Sequence, residues 1–342
     1  MTSEPYKVSI CIPVYGVERY IERCAKSLFE QTYNNIEFLF IDDYSIDHSI
    51  EMLHKVMDEF PDRKKQVHII KHTHNRGLAA ARNTALEAAT GEFLMHVDSD
   101  DWIEVNAIEE LVRKQMEDDA DFVTSDIHVI SRYKNYNIVR SQQKTSRELS
   151  LSLIRRDIEV CIWGQLIRTS LYRQNNIRIE EGVNVGEDFQ QTPRLAYYAK
   201  TIACLKKPIY HYDCTNNMSY MHSGFSLSKW KEDLRSRQII IDFCQDKGKD
   251  YVAAAEYLRF ITAAESLRDL TKSQICHKEY HEMLSIVNSH RDLWNTQPFY
   301  LRICFYLQNI YLVAFLIRTA RFMKRLCLRI YSCVNKRSGY FR

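Results

Sequence analysis

Hydrophobic and polar positions alternate along the first 130 residues in a way that predicts strands and helices in turn. Residues 8–14 form a short apolar run ended by Pro13, and 36–41 is nearly all apolar and runs straight into Asp42-Asp43. Both read as buried strands, as do 67–70, 92–97 and 121–125. Between them the apolar spacing becomes helical over 19–31, 45–60, 78–89 and 104–117. Strands that are continuously apolar and separated by helices predict a parallel sheet covered on both faces. From 127 to 225 the pattern is irregular, with short strand-like and helical pieces. From 228 it turns wholly helical, over 228–246, 251–270, 277–289 and 299–334. The expected division is therefore an α/β domain over 1–227 and a helical region over 228–342.

In such sheets ligands bind outside the carboxyl ends of the strands. The polar residues falling there are Tyr15, Asp42-Asp43 and Asp98-Ser99-Asp100-Asp101. Three carboxylates within four residues repel one another unless a cation sits among them. Hard cations such as Mg²⁺ or Mn²⁺ take oxygen ligands, commonly one or two carboxylates with substrate phosphates. A solvated acidic turn capping the next helix is the plainer reading of Asp98–Asp101 taken alone. Helix capping likewise accounts for Ser45 and Asp47. In Asn75–Asn83, Gly77 permits a close approach before a helix, and Arg82 can supply charge-assisted hydrogen bonds to a diphosphate.

Together these strings resemble the family 2 glycosyltransferases. The resemblance rests on Val8–Tyr15, Ser27–Tyr33, Asp42-Asp43, Asn75–Asn83, Gly91-Glu92, Asp98–Trp102, Trp163–Leu166 and Gly186-Glu187-Asp188, in the expected order over about 6–220. It implies a GT-A fold, a Rossmann-like, mostly parallel sheet with a helical C-terminal region, and inverting transfer from a nucleotide-sugar. It further implies that Pro13, Tyr15 and Asp43 hold the nucleoside, with Arg82, Asp98 and Ser99 completing the nucleotide-sugar site. Asp98, Asp100 and Asp101 are then the candidate ligands of Mn²⁺ or Mg²⁺, and Asp188 is the catalytic base. Two departures stand out: Gly16 where the family often has Asn, and Tyr44 where Gly is common. His96, His211 and His222 are read as structural.

The expected donor is a UDP-sugar, because Asp43 can accept the uracil N3–H; thymine shares that N3–H, so a dTDP-sugar stays open as donor. The expected acceptor is a glycan or a lipid-linked glycan of a surface polysaccharide. Nucleotidyl transfer to a sugar phosphate is the alternative enzyme. It would want a Gly-rich basic loop after the first strand, and Tyr15-Gly16-Val17-Glu18 is not one. A catalytically silent nucleotide-sugar-binding scaffold is the other alternative.

The net charge of +3 gives no reason to expect nucleic acid, but it is unevenly spread. Leu293–Arg342 holds nine basic residues and no acid, so 1–292 carries −6. Within that tail, Ile303–Ile317 is apolar apart from Gln308 and Asn309. It is short of the roughly 20 residues of a spanning helix. Arg318, Arg321, Lys324, Arg325 and Arg329 follow, which suits a helix lying on an anionic leaflet. Residues 299–342 are therefore expected to make peripheral membrane contact. Ten cysteines lie singly, without metal-type or paired spacing, and Met1–Lys7 has no apolar segment. A cytoplasmic setting, at the inner face of the membrane, is the expectation.

Overall fold

The computed structural model describes residues 6–132, 134–140, 145–216, 225–270 and 277–298, together with 302, 305, 306 and 319. The expected basic helix of 299–334 and His222 lie outside the described residues, apart from those four positions. Among the described residues no helix is long and apolar enough to cross a membrane.

The first half alternates as its periodicity requires: β1 (Val8–Val14), α1 (Ile21–Phe29), β2 (Ile36–Asp42), α2 (Ser49–Glu59), α3 (Pro61–Lys64), β3 (Val67–Lys71), α4 (Leu78–Ala88), β4 (Phe93–His96), β5 (Trp102–Ile103) and α5 (Ala107–Asp118). There follow β6 (Phe122–Ile130), β7 (Tyr136–Ile138), α6 (Ser146–Arg155), β8 (Leu166–Arg168), α7 (Thr169–Gln174), α8 (Glu187–Tyr198) and β9 (Ile202–Asp213). The described strands form one sheet in the order β3-β2-β1-β4-β8-β6-β9-β5, with β7 paired to β6. β3, β2, β1 and β4 run parallel, so their carboxyl ends open at one edge. Beyond them β8 is antiparallel to both β4 and β6, while β6 and β9 run parallel.

Side-chain alternation sends each strand into two cores. Val8, Ile10, Ile12 and Val14 of β1 join Phe38 and Phe40 of β2 on the face covered by α1, α2 and α5. Cys11, Leu39 and Ile41 point the other way, against Ala81, Ala85, Leu195 and Ala196 of α4 and α8. The region read as irregular contains the longest strand, β9, and the last part of β6, whose start was read as a strand over 121–125. β9 escapes a periodicity reading because Lys206-Lys207 interrupts it, where the register against β6 shifts on either side of Asp126.

C-terminal to β9 come α9 (Leu227–Cys244), α10 (Lys249–Leu270), α11 (His277–Ser289) and a 3₁₀ turn over Arg291–Thr296. Two compact units result, one of residues 1–224 with 232–255 and the other of 225–231 with 256–342. In the second, Trp230 donates its indole N–H to Ser266 Oγ at 2.9 Å, and the rings of Phe260, Trp294 and Phe305 pack together.

Candidate active site

A cleft of about 370 Å³ opens at the carboxyl ends of β1, β2 and β4. Its lining includes Pro13, Tyr15, Asp43, Asp98, Ser99 and Asp100, which the sequence had placed at strand ends. Tyr15 is 50 % exposed and available to a ligand. The ends of β1 and β2 are tied together at Val14, whose carbonyl accepts from Asp43 N at 3.0 Å and from Ser45 Oγ at 3.2 Å. Asp42 Oδ1 accepts from Ser45 N at 2.7 Å, closing the turn that carries Tyr44 at φ +64°. The loop therefore keeps a left-handed position despite having Tyr where Gly is common.

Asp43 is buried and organises the neighbouring loop. Oδ1 accepts from Arg76 N at 2.8 Å and lies 2.7 Å from His72 Nδ1, and Oδ2 accepts from Gly77 N at 2.8 Å. Gly77 opens α4 at φ +88° and ψ 168°, and Asn184 sits against it, accepting from Ala79 N at 3.0 Å. Neither His72 nor Asn184 was singled out from the sequence. The one hint for Asn184 is its place between Gly182 and Gly186.

The acidic block after β4 divides by direction. Asp98 and Asp100 face the cleft, and Asn216 Nδ2 donates to Asp100 Oδ2 at 2.8 Å. Burial, and then the charge of Asp98, push the Asp100 carboxyl up to about 6. Asp101 does not line the cleft. It is 0 % exposed, with Oδ1 taking the Asp213 N–H at 2.8 Å and Oδ2 the Tyr210 hydroxyl at 2.7 Å. Tyr210 Oη in turn accepts from Asp98 N at 3.1 Å. The expectation that Asp101 is a metal ligand is corrected accordingly: its oxygens brace the turn. Among the described residues no three His, Cys, Asp or Glu side chains converge as a metal site. Asp98 and Asp100 nonetheless fit a hard divalent cation, which needs only one or two carboxylates when phosphate oxygens and water complete its shell.

Arg82 corrects a second expectation. Only 2 % exposed, it is not among the residues lining the cleft, to which its own helix contributes Leu78 and Ala81. Its Nη2 donates to Asp98 Oδ1 at 2.8 Å and to Glu187 Oε1 at 3.3 Å. Glu187 and Asp188 open α8 behind Gly186, which has φ +72°. Asp188 Oδ1 accepts from Phe189 N at 2.6 Å. Burial raises the affinity of Asp188 for a proton, partly offset by that N–H and by Arg82 and Arg156; burial and the adjacent Asp188 raise Glu187. Trp163 stacks on Tyr210 and Tyr212 at 4.6 and 5.0 Å between ring centroids. His96 and His211 are packed within the fold: His96 is buried, and His211 stacks on Trp102 and pairs with Glu104 at 2.7 Å.

The sheet order, with carboxylates gathered at its strand ends, has the form of the GT-A fold. Residues 9–175, just under half of the chain, match the family model described as glycosyl transferase family 2. It is 31 % identical over 224 residues to the glycosyltransferase GlyA of Streptococcus pneumoniae, an alignment covering 60 % of this chain and 30 % of GlyA. It is 29 % identical over 228 residues to the poly(ribitol-phosphate) beta-N-acetylglucosaminyltransferase TarS of Staphylococcus aureus, covering 64 % of this chain and 37 % of TarS. The chain thus spans less than two thirds of the length of either relative. The crystal structure of TarS residues 1–349 in complex with UDP-GlcNAc has the same fold, with a TM-score of 0.64 and 19 % identity over 92 % of this chain and 91 % of that one.

Proposed function

We propose that the chain transfers a sugar from a UDP-sugar to an acceptor hydroxyl with inversion, in the synthesis of a surface glycan. The observation that carries this reading is the cleft that gathers Pro13, Tyr15, Asp43, Ser99, Asp98 and Asp100 at adjacent strand ends, with Asp98 linked through Arg82 to the start of the helix bearing Asp188. The nucleoside sits over Pro13 and Tyr15. Asp43 already carries three partners on two oxygens, and a carboxylate offers about four lone-pair sites, so one remains for the imide N–H of uracil. That TarS is known bound to UDP-GlcNAc supports the choice of donor.

In the transfer, Asp188 takes the proton of the acceptor hydroxyl. That oxygen bonds to the anomeric carbon from the face opposite the diphosphate, and the bond from carbon to diphosphate oxygen breaks, its electron pair leaving with UDP. Mn²⁺ or Mg²⁺ held by Asp98 and Asp100 would stabilise charge on the departing diphosphate. Arg23 steadies the Asp100 backbone by donating to its carbonyl at 2.7 Å. The basic tail supports peripheral contact with an anionic leaflet, where a lipid-linked acceptor would be met.

The test is a screen of UDP-, GDP- and dTDP-sugars with Mn²⁺ or Mg²⁺, reading released nucleotide and the anomeric configuration of the product. Release of UDP and an inverted product are expected. Release of pyrophosphate with a sugar phosphate as acceptor, or no turnover of any donor, would overturn the reading.

A further inference from the structure

We infer that Arg82 is a positioning residue that joins the donor side of the cleft to its base side, and that it does not itself bind the diphosphate. The inference rests on the transferase reading above. A diphosphate ligand must reach the cleft: α4 contributes Leu78 and Ala81 to its lining, whereas Arg82 is buried and is not part of that lining. What the guanidinium touches instead are two carboxylates from distant parts of the chain, Asp98 after β4 and Glu187 at the start of α8. A buried guanidinium is stable only when paired, so this bridge fixes both elements relative to α4.

The pairing is also incomplete. Nε and Nη1 of Arg82 are buried and have no hydrogen-bond partner among the described residues, and the same holds for both ring nitrogens of the neighbouring His96. Asp188 is a further carboxylate within the field of Arg82. The groups acting on Asp188 are Glu187 beside it, Arg82 from α4, Arg156 following α6 and Asp98 following β4. Of the two cations, Arg82 is the one also bonded to the donor-side Asp98. Its position lets one side chain set both where Asp98 stands and how readily Asp188 gives up its proton.

The experiment compares wild type, Arg82→Gln, Arg82→Lys and Glu187→Gln by UDP affinity, kcat and the pH dependence of kcat. For Arg82→Gln, kcat is expected to fall about 10²-fold, the lower end of what a positioned base contributes, while UDP affinity changes by less than about tenfold. The acidic limb of kcat moves to higher pH, because the charge favouring ionised Asp188 is gone. Arg82→Lys keeps the charge without the planar fork. It should restore the position of the limb while leaving kcat depressed. Should Arg82→Gln not fold, Arg82→Lys and Glu187→Gln carry the test: both lower kcat with UDP affinity kept. Loss of UDP affinity with kcat retained would return Arg82 to the diphosphate, and an unshifted limb with wild-type kcat would remove it from the mechanism. An active wild type with either result refutes the role of Arg82 alone, whereas a wild type that turns over no nucleotide-sugar refutes the transferase reading as well.

Discussion

Gly77→Ala tests the geometry at the mouth of the cleft most directly. Gly77 has φ +88° and ψ 168°, a backbone region that is essentially reserved for glycine. Holding an alanine there costs about 1–3 kcal/mol. Its Cβ would also come within 2.5 Å of Asn184 Oδ1 and 2.7 Å of Nδ2, so the Asn184 side chain has to move. Moving it breaks the bond from Ala79 N, worth about 0.5–1.5 kcal/mol. The two effects together predict a loss of about 2–4 kcal/mol. Gly182→Ala is the matched control, since Gly182 has φ +82° but no atom within 4 Å of the added Cβ. It should cost only the backbone term, about 1–2 kcal/mol. Urea titrations followed by circular dichroism measure both, with the midpoint falling further for Gly77→Ala at equal slope. UDP affinity should fall for Gly77→Ala and not for Gly182→Ala, because Gly77 N is one of the donors to Asp43. A Gly77→Ala protein as stable as wild type, or no more destabilised than Gly182→Ala, would refute the contact with Asn184.

Asp188→Asn keeps the size of the side chain but cannot take a proton; kcat should fall by about 10²-fold or more with UDP affinity nearly unchanged, and a variant that loses UDP affinity while keeping turnover would assign Asp188 to the donor. Calorimetry of UDP binding with and without Mn²⁺ should show metal stimulation in the wild type that Asp100→Ala removes, whereas Asp101→Asn should leave that stimulation in place and lower stability instead; equal metal responses in both variants would count against the division of the acidic block. Burial alone would raise the Glu37 carboxyl, but bonds from Lys7, Ser9 and Thr90 outweigh it and hold it at about 2, below its ordinary 4.5. Because the folded value is the lower one, the stabilisation is present above about pH 4.5 and is lost as pH falls toward 2, so Glu37→Gln should flatten stability against pH in that window, and an unchanged profile would show the bonds contribute nothing.

Much of the fold was legible because buried parallel strands are continuous apolar runs, and Val8–Val14 and Ile36–Asp42 lie within one residue of their expected limits. The helices over 78–88 and 277–289 likewise follow from spacing alone. β9 did not, since Lys206-Lys207 and Pro208 break the pattern at the point where the register against β6 shifts. Site residues at strand ends could be found because the loop after a strand is where a parallel sheet meets ligand. Arg82 could be found but not interpreted: its partner Glu187 is 105 positions away, and nothing local distinguishes a buried arginine from one turned into a cleft.

The same limit governs how much charge the cleft offers a cation. Asp98, Asp100 and Asp101 read as one cluster of three, and adjacent carboxylates look interchangeable in a string. Direction separates them. The turn closed by the bond from Asp101 N to the Asp98 carbonyl sends Asp101 inward, to Tyr210 and Asp213 N, while Asp98 and Asp100 stay in the cleft. A third carboxylate from this block in the cleft would add repulsion to a site whose Asp100 is already pushed upward by burial and then by Asp98. Turned inward, Asp101 instead accepts two hydrogen bonds and anchors the loop to β9. The acidic block leaves two carboxylates, Asp98 and Asp100, in the cleft, a number that suits a hard divalent cation sharing its shell with a diphosphate.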